Sequence, residues 1–163
     1  MTTQKNLIDL LKLEPHPEGG FYRQVYKAEE ILEDLPSRFD GARSFSTAIY
    51  FLLTKETFSA FHIINQDELW HHYEGGTLKI HIIDQDGNYS FKCLGKNLMD
   101  GEEPMVVVPK ETYFAAEVIE GDFVLSGCTV APGFEFSDFK MPDRRELIEQ
   151  FPDQERIITE LTQ

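Results

Sequence analysis

Residues 68–94 read ELWHHYEGGTLKIHIIDQDGNYSFKCL, and the period of this stretch decides the fold class. Glu68–Tyr73, Leu78–Ile83 and Tyr89–Leu94 are rich in β-branched and aromatic residues, and short polar or glycine-bearing breaks separate them, as in strands. Asp86-Gly87-Asn88 between two such runs is a hairpin signal, because glycine and asparagine accept positive φ. Gly75-Gly76 reads as another turn. The same text extends outward through Phe21–Tyr26, Arg43–Leu53, Thr57–Ile64, Met105–Val108, Tyr113–Val118 and Phe123–Val130, with a turn at Glu120-Gly121-Asp122. Nine short strands at near-regular spacing predict an all-β sandwich or closed barrel over about residues 20–139.

Helices flank this β text. Leu7, Ile8, Leu10 and Leu11 cluster on one face of a short N-terminal helix, with Thr3 or Asn6 as its cap, and Pro15 and Pro17 stop it. Asp143-x-x-Glu146 is a capping-box-like start to a helical tail over about residues 143–161, interrupted by Pro152. These stripes predict helices that cover one end of the β core. No repeat, low-complexity run or Pro/Gly/Ser linker divides the chain, so one domain over residues 1–163 is expected.

Composition narrows the partners. The chain has 163 residues, 41% of them hydrophobic, which suits an ordered core without disulfide or metal support. It carries 29 Asp and Glu against 15 Lys and Arg, a formal charge of −14 that disfavours nucleic acid and anionic membrane surfaces. Much of it lies between Asn97 and Asp122, where seven acids face Lys110 alone. No apolar run approaches the length of a membrane span, and the first residues lack the pattern of a signal peptide. Cys93 and Cys128 read as buried free thiols, which points to a reducing cytoplasm.

Polar chemistry concentrates between His62 and Gly75. His62, His71 and His72 fall close together, with Glu68 among them. Alternation puts Glu68, Trp70 and His72 on one face of a strand and Leu69, His71 and Tyr73 on the other, and a bulge would exchange these sets, leaving the choice between His71 and His72 open. Upstream, His16-Pro17-Glu18-Gly19-Gly20 precedes a strand bearing Arg23. It reads either as a turn that passes the first strand to a partner subunit or as pocket lining. Arg23 and Arg43 are natural receptors for a carboxylate or phosphate, or for a buried Glu68. His81 lies outside the cluster and reads as a strand-surface residue.

The His62–Gly75 stretch resembles the first motif of the cupins: His62 stands at the first histidine position, and six residues separate Glu68 from Gly75. The second histidine position is Ile64. In the second cupin motif, similar to Pro109–Phe114, the metal-binding histidine is Phe114. Five ordered segments, His16–Arg23, Thr47–Leu53, Asp67–His71, Phe114–Glu117 and Cys128–Phe134, together resemble the cupin-5 family. The resemblance implies a double-stranded β-helix, or jelly-roll barrel, with a ligand cavity inside it, commonly as a homodimer.

A cupin metal centre uses three histidines and a glutamate, of which only His62 and Glu68 carry over. No cofactor is therefore expected; a divalent metal, if bound, would use His62, Glu68 and His72. The reading that follows is a small-molecule protein acting as a metal-independent sugar or nucleotide-sugar isomerase- or epimerase-like enzyme, its ligand anionic or a carbohydrate. The dTDP-4-dehydrorhamnose 3,5-epimerases are similar in placing a base histidine on a core strand. Here His62 would be the base, with Glu68 as electrostatic partner and His71, or one of Tyr22, Tyr50, Tyr73 and Tyr113, as a second proton carrier. Glu18, Arg23, Trp70, His72, Tyr113 and Phe114 would bind substrate. The alternatives are a metal-dependent dioxygenase or lyase using His62 and Glu68, and a non-catalytic or structural barrel whose interior is filled by its own side chains.

Overall fold

The computed structural model describes residues 3–163. Two long strands organise it. Strand β7 runs from Glu68 to Ile83 and β10 from Tyr113 to Val130, antiparallel along their whole length. Each was expected as two strands around a glycine turn, and each is continuous. The glycines serve a close approach of two backbones instead. Gly75 has φ +101, and a side chain on Gly76 would collide with the Glu120 carbonyl of β10. The register slips between Val118 and Val124, so the pair bends without ending.

The bend lets one strand pair serve two sheets. Its Glu68/Val130 half carries β5 (Thr47–Thr54), β2 (Phe21–Lys27) and β1 (Glu14–Pro15) on the β10 side and β9 (Met105–Val108) on the β7 side. Its Ile83/Tyr113 half carries β6 (Phe58–His62) and β8 (Tyr89–Leu94). A two-residue pair, β3 (Ile31–Leu32) with β4 (Arg43–Ser44), stands apart. The β7–β8 hairpin forms as expected: Gly87 has φ +84, and Asp84 Oδ1 accepts from the backbone N–H groups of Asp86 and Asn88 at 2.9 Å each.

Inward residues of both sheets, among them Phe51, Leu53, Trp70, Ile80, Leu94 and Phe114, make the main core. Helix α1 (Gln4–Leu11), capped by Thr3, packs Leu7 against Leu52 and Leu125. Helices α2 (Arg144–Gln150) and α3 (Glu155–Glu160) cover the back of the second sheet, burying Leu147, Phe151 and Ile158 on Phe61, Ile83 and Ala115. Asp143 caps α2 by accepting from Arg145 N at 2.8 Å.

Two smaller expectations are corrected. His81 is buried, not a surface residue, because Tyr89 Oη at 2.9 Å and Glu117 Oε1 at 3.1 Å occupy its two ring nitrogens. Cys93 is half-buried; only Cys128 is enclosed. Among the described residues no helix is long and apolar enough to cross a membrane.

Candidate active site

Three ionisable side chains from three segments meet on one cavity of about 300 Å³. Glu18 comes from the turn before β2, His62 from the last position of β6, and Glu68 from the first of β7. The turn is held by Gly19, whose φ of +113 suits glycine and whose missing side chain admits the Phe58 carbonyl. Ala60 N donates to Glu18 O at 2.7 Å, tying that turn to β6. A barrel filled by its own side chains is therefore not what the chain builds.

Glu18 and His62 form a buried pair. His62 Nε2 lies 3.0 Å from Glu18 Oε2, with side chains only 3% and 7% exposed. His62 Nδ1 donates to the Ala60 carbonyl at 2.7 Å, which fixes the ring. Burial alone would discharge His62; the Glu18 charge, its hydrogen bond and the Ala60 carbonyl outweigh that and raise its pKa. Burial likewise opposes ionisation of Glu18, yet the charge and hydrogen bond of His62 hold its carboxyl below the usual range. The pair is an imidazolium–carboxylate.

His16 behaves differently. Its Nδ1 accepts from Glu18 N at 3.2 Å and is 3.7 Å from Glu18 Oε2. Burial lowers its pKa more than Glu18 raises it, so the ring is neutral with its proton on Nε2. Tyr22 meets it edge-on at 4.5 Å.

Glu68 has no basic partner. Its carboxyl is wholly buried, and burial and then the Glu18 charge push its pKa up to about 7 against the relief given by His62. The Cys128 thiol shares this wall, and burial together with the charge of Glu68 holds it well above the ordinary thiol range. Aromatic rings of Phe134, Phe136 and Phe139 close the far side. Their segment is pinned by Asp138, which takes a bidentate contact from Arg43 at 2.9 and 2.8 Å and a donor from Gln66 at 2.7 Å.

The other expected site residues lie elsewhere. Trp70 is core, edge-on to Phe51 at 5.4 Å, and separates Glu68 from His72 along the strand. His72 Nε2 turns to the Gly76 carbonyl at 2.8 Å, and His71 Nε2 to Thr129 Oγ1 at 3.0 Å on the outer face, so neither histidine lines the cavity. Arg23 alternates outward over the Tyr50 ring. Arg43 pairs with Asp138 and Asp40 instead of Glu68 and does not line the cavity. Tyr113 packs beneath α2, its hydroxyl donating to Gln150 Oε1 at 3.3 Å. Phe114 backs His62, ring centroids 4.0 Å apart. The turn at Glu18 lines the pocket, while β2 pairs with β5 of its own chain. His16 and Cys128 were in quoted motifs without a role; Phe136 and Phe139 had no signal beyond being aromatic.

The metal expected for the fold does not suit these residues. Ile64 and Phe114 supply no donor atoms, His62 Nε2 is engaged by Glu18, and His72 is turned away. The alternative set His62, Glu68 and His72 is thus not assembled. Among the described residues no group of three or more His, Cys, Asp or Glu is disposed to hold a metal ion.

A bent antiparallel strand pair shared by two sheets around an internal cavity defines a cupin jelly roll. The chain belongs to the Cupin_5 family, described as cupin superfamily (DUF985), whose model matches residues 5–142. It is similar over 100% of its length to the crystal structure of protein SO0799 from Shewanella oneidensis, with 35% identity, a TM-score of 0.90 and 99% of that chain covered. A hypothetical protein from Leishmania major is 29% identical with a TM-score of 0.92, each chain covered to 99%. Protein YML079W of Saccharomyces cerevisiae is 27% identical over 147 residues, 82% of this chain and 72% of that protein. A mutant oxalate decarboxylase from Bacillus subtilis shares the fold alone: 15% identity, TM-score 0.58, 91% of this chain and 37% of that one.

Proposed function

We propose that the cavity is the active site of a metal-independent acid–base enzyme that moves a proton on a small molecule, in an isomerase- or epimerase-like reaction beside a carbonyl. The observation that carries this reading is the convergence of Glu18, His62 and Glu68 on one cavity with Glu68 left without a basic partner. A buried carboxyl whose pKa is about 7 is half ionised near neutrality, where a general base is most effective.

Roles shift from those expected. His62 has both ring nitrogens engaged, so it is a poor base and instead fixes and neutralises Glu18. Glu68 takes the proton from the carbon next to the carbonyl. The electron pair of that C–H bond becomes the C=C bond of an enolate as the carbonyl π pair moves onto oxygen, and the neutral His16, with its proton on Nε2, donates to that oxygen. In an epimerisation a solvent proton reaches the other face of that carbon and Glu68 releases its proton to solvent. In an isomerisation Glu68 returns the proton to the former carbonyl carbon while the hydroxyl on the first carbon gives up its proton and becomes the new carbonyl.

The test is solvent exchange. Keto sugars are incubated with the protein in D2O, and deuterium at the carbon beside the carbonyl is read by NMR. Exchange by the parent and its loss by about 100-fold or more in E68Q are expected for a general base. Exchange that survives in E68Q, or its absence with every keto sugar, overturns the reading.

A further inference from the structure

The cavity has one basic side chain at its mouth, and a backbone irregularity puts it there. Along β2, Tyr22 and Gln24 face the cavity and Arg23 faces away. Continued alternation would turn Tyr26 inward and Lys27 outward. Instead the register with β5 shifts at Val25: Gln24 stands opposite Ile49, Tyr26 opposite Ala48 and Lys27 opposite Thr47. Ile49 and Thr47 line the cavity, as do Gln24 and Lys27, whereas Ala48 and Tyr26 do not. A bulge of this kind re-aims a side chain, and bulges concentrate beside functional sites.

Lys27 meets Glu135 there, Nζ to Oε1 at 2.8 Å, with the two side chains 46% and 44% exposed. Glu135 belongs to the aromatic segment that closes the cavity, which Thr47 Oγ1 also holds by accepting from Phe134 N at 2.9 Å. The ion pair therefore crosses the opening, in contrast to the enclosed Glu18–His62 pair. Exposed pairs of this type contribute little to stability, so exchanging the partner of Lys27 costs little, and a released Glu135 is resolvated. No arginine lines the cavity among the described residues, and its inner carboxylates disfavour an anion at the deep end. Between the two ends lie Tyr22, Ile64, Val130, Phe134 and Phe139, an apolar and aromatic belt suited to the body of a ring.

We propose that the cavity takes a small ring-bearing organic anion, its carboxylate or phosphate held by Lys27 after Lys27 leaves Glu135, and its reacting end against Glu18, His62 and Glu68. The assignment rests on the cavity being the substrate site. It adds Lys27 as the residue that sets ligand charge and Glu135 as the group that occupies Lys27 when no ligand does.

Calorimetry with matched probes tests it: glucuronate and glucose 6-phosphate each against glucose, and benzoate against benzyl alcohol. At least one anion is expected to bind roughly tenfold or more tightly than its neutral counterpart, as a charge-assisted contact allows. K27Q, at an exposed position and checked for an unchanged melting temperature, removes that preference; E135Q, which frees Lys27, keeps or increases it. Absence of preference in every pair overturns the assignment, as does a preference that persists in K27Q or falls in E135Q. Binding is read without turnover, and E68Q retains the preference. Failure of proton exchange with the preference intact therefore refutes the acid–base reading alone, and the reverse outcome refutes the anion site alone.

Discussion

Replacing Glu68 by glutamine is expected to make the protein more stable at pH 8 while changing little at pH 5. The carboxyl is buried without a basic partner, and its pKa rises from 4.5 to about 7. In this direction the folded state holds a proton that the unfolded chain has already released. Stability therefore falls as pH rises from about 4.5 to about 7, then levels. A shift of this size corresponds to roughly 3 kcal/mol in total, of which about 2.5 kcal/mol is lost between pH 5 and pH 8. In a domain of this length that is a difference in melting temperature of about 5–10 °C.

Glutamine resembles the protonated acid in shape, so at pH 5 the two proteins differ little. The assay is thermal unfolding of parent and E68Q at pH 5, 6, 7 and 8 at fixed ionic strength. Other groups also titrate in this range; the Glu18–His62 pair loses its contribution above the raised pKa of His62. The Glu68 charge also helps to raise the His62 pKa, so the difference between the two curves reads Glu68 together with its coupling to that pair. Parallel curves across the whole range, or a difference that shrinks as pH rises, refute the reasoning.

Two further outcomes follow from burial and charge. R43M leaves Asp138 enclosed without its guanidinium, with Asn65 and Gln66 as its remaining side-chain donors, and is expected to cost about 3–5 kcal/mol in denaturant unfolding. The double variant R43M/D138N recovers part of that loss if the cost is the stranded charge. Iodoacetamide at pH 8 is expected to alkylate half-buried Cys93 and to leave Cys128 intact until the protein is denatured, because burial and Glu68 keep that thiol protonated. Peptide mass spectrometry reads both sites, and early alkylation of Cys128 contradicts the enclosed wall.

Local chemistry made parts of this molecule legible from sequence. The Asp84–Asn88 turn and the period-two text on either side of it are short-range signals, and the hairpin forms where they place it. Gly75-Gly76 and Gly121 also read as turns and were misread, since the same glycines permit two backbones to touch. Which of these a glycine pair serves depends on a strand some 45 positions away. His62 and Glu68 were legible through their motif spacing. The partnership of Glu18 with His62 was not, because it depends on the Ala60–Glu18 backbone contact that brings two remote segments together. Lys27 was hidden for a different reason: a one-residue bulge inverts the face on which alternation places it. His81 was misjudged because a partner on each side, Tyr89 and Glu117, makes a buried imidazole tolerable.

The electrostatics of the cavity follow from its two apolar substitutions. Ile64 and Phe114 stand where the cupin motifs carry metal-binding histidines, and one lines the cavity while the other packs against the His62 ring. Two enclosed carboxylates remain, and each needs compensation, since a buried unpaired charge is costly. Glu18 obtains it from the imidazolium of His62, whose second nitrogen is committed to the Ala60 carbonyl. No second cation reaches Glu68, so its compensation is a proton. Lys27 lies at the exposed mouth and is paired with Glu135. Of the two enclosed carboxyls, the one that changes charge near neutral pH is thus the one left without a basic partner. The imbalance that weakens the fold as pH rises to about 7 is the same imbalance that readies Glu68 to accept a proton, so E68Q is expected to gain stability at pH 8 and lose exchange together.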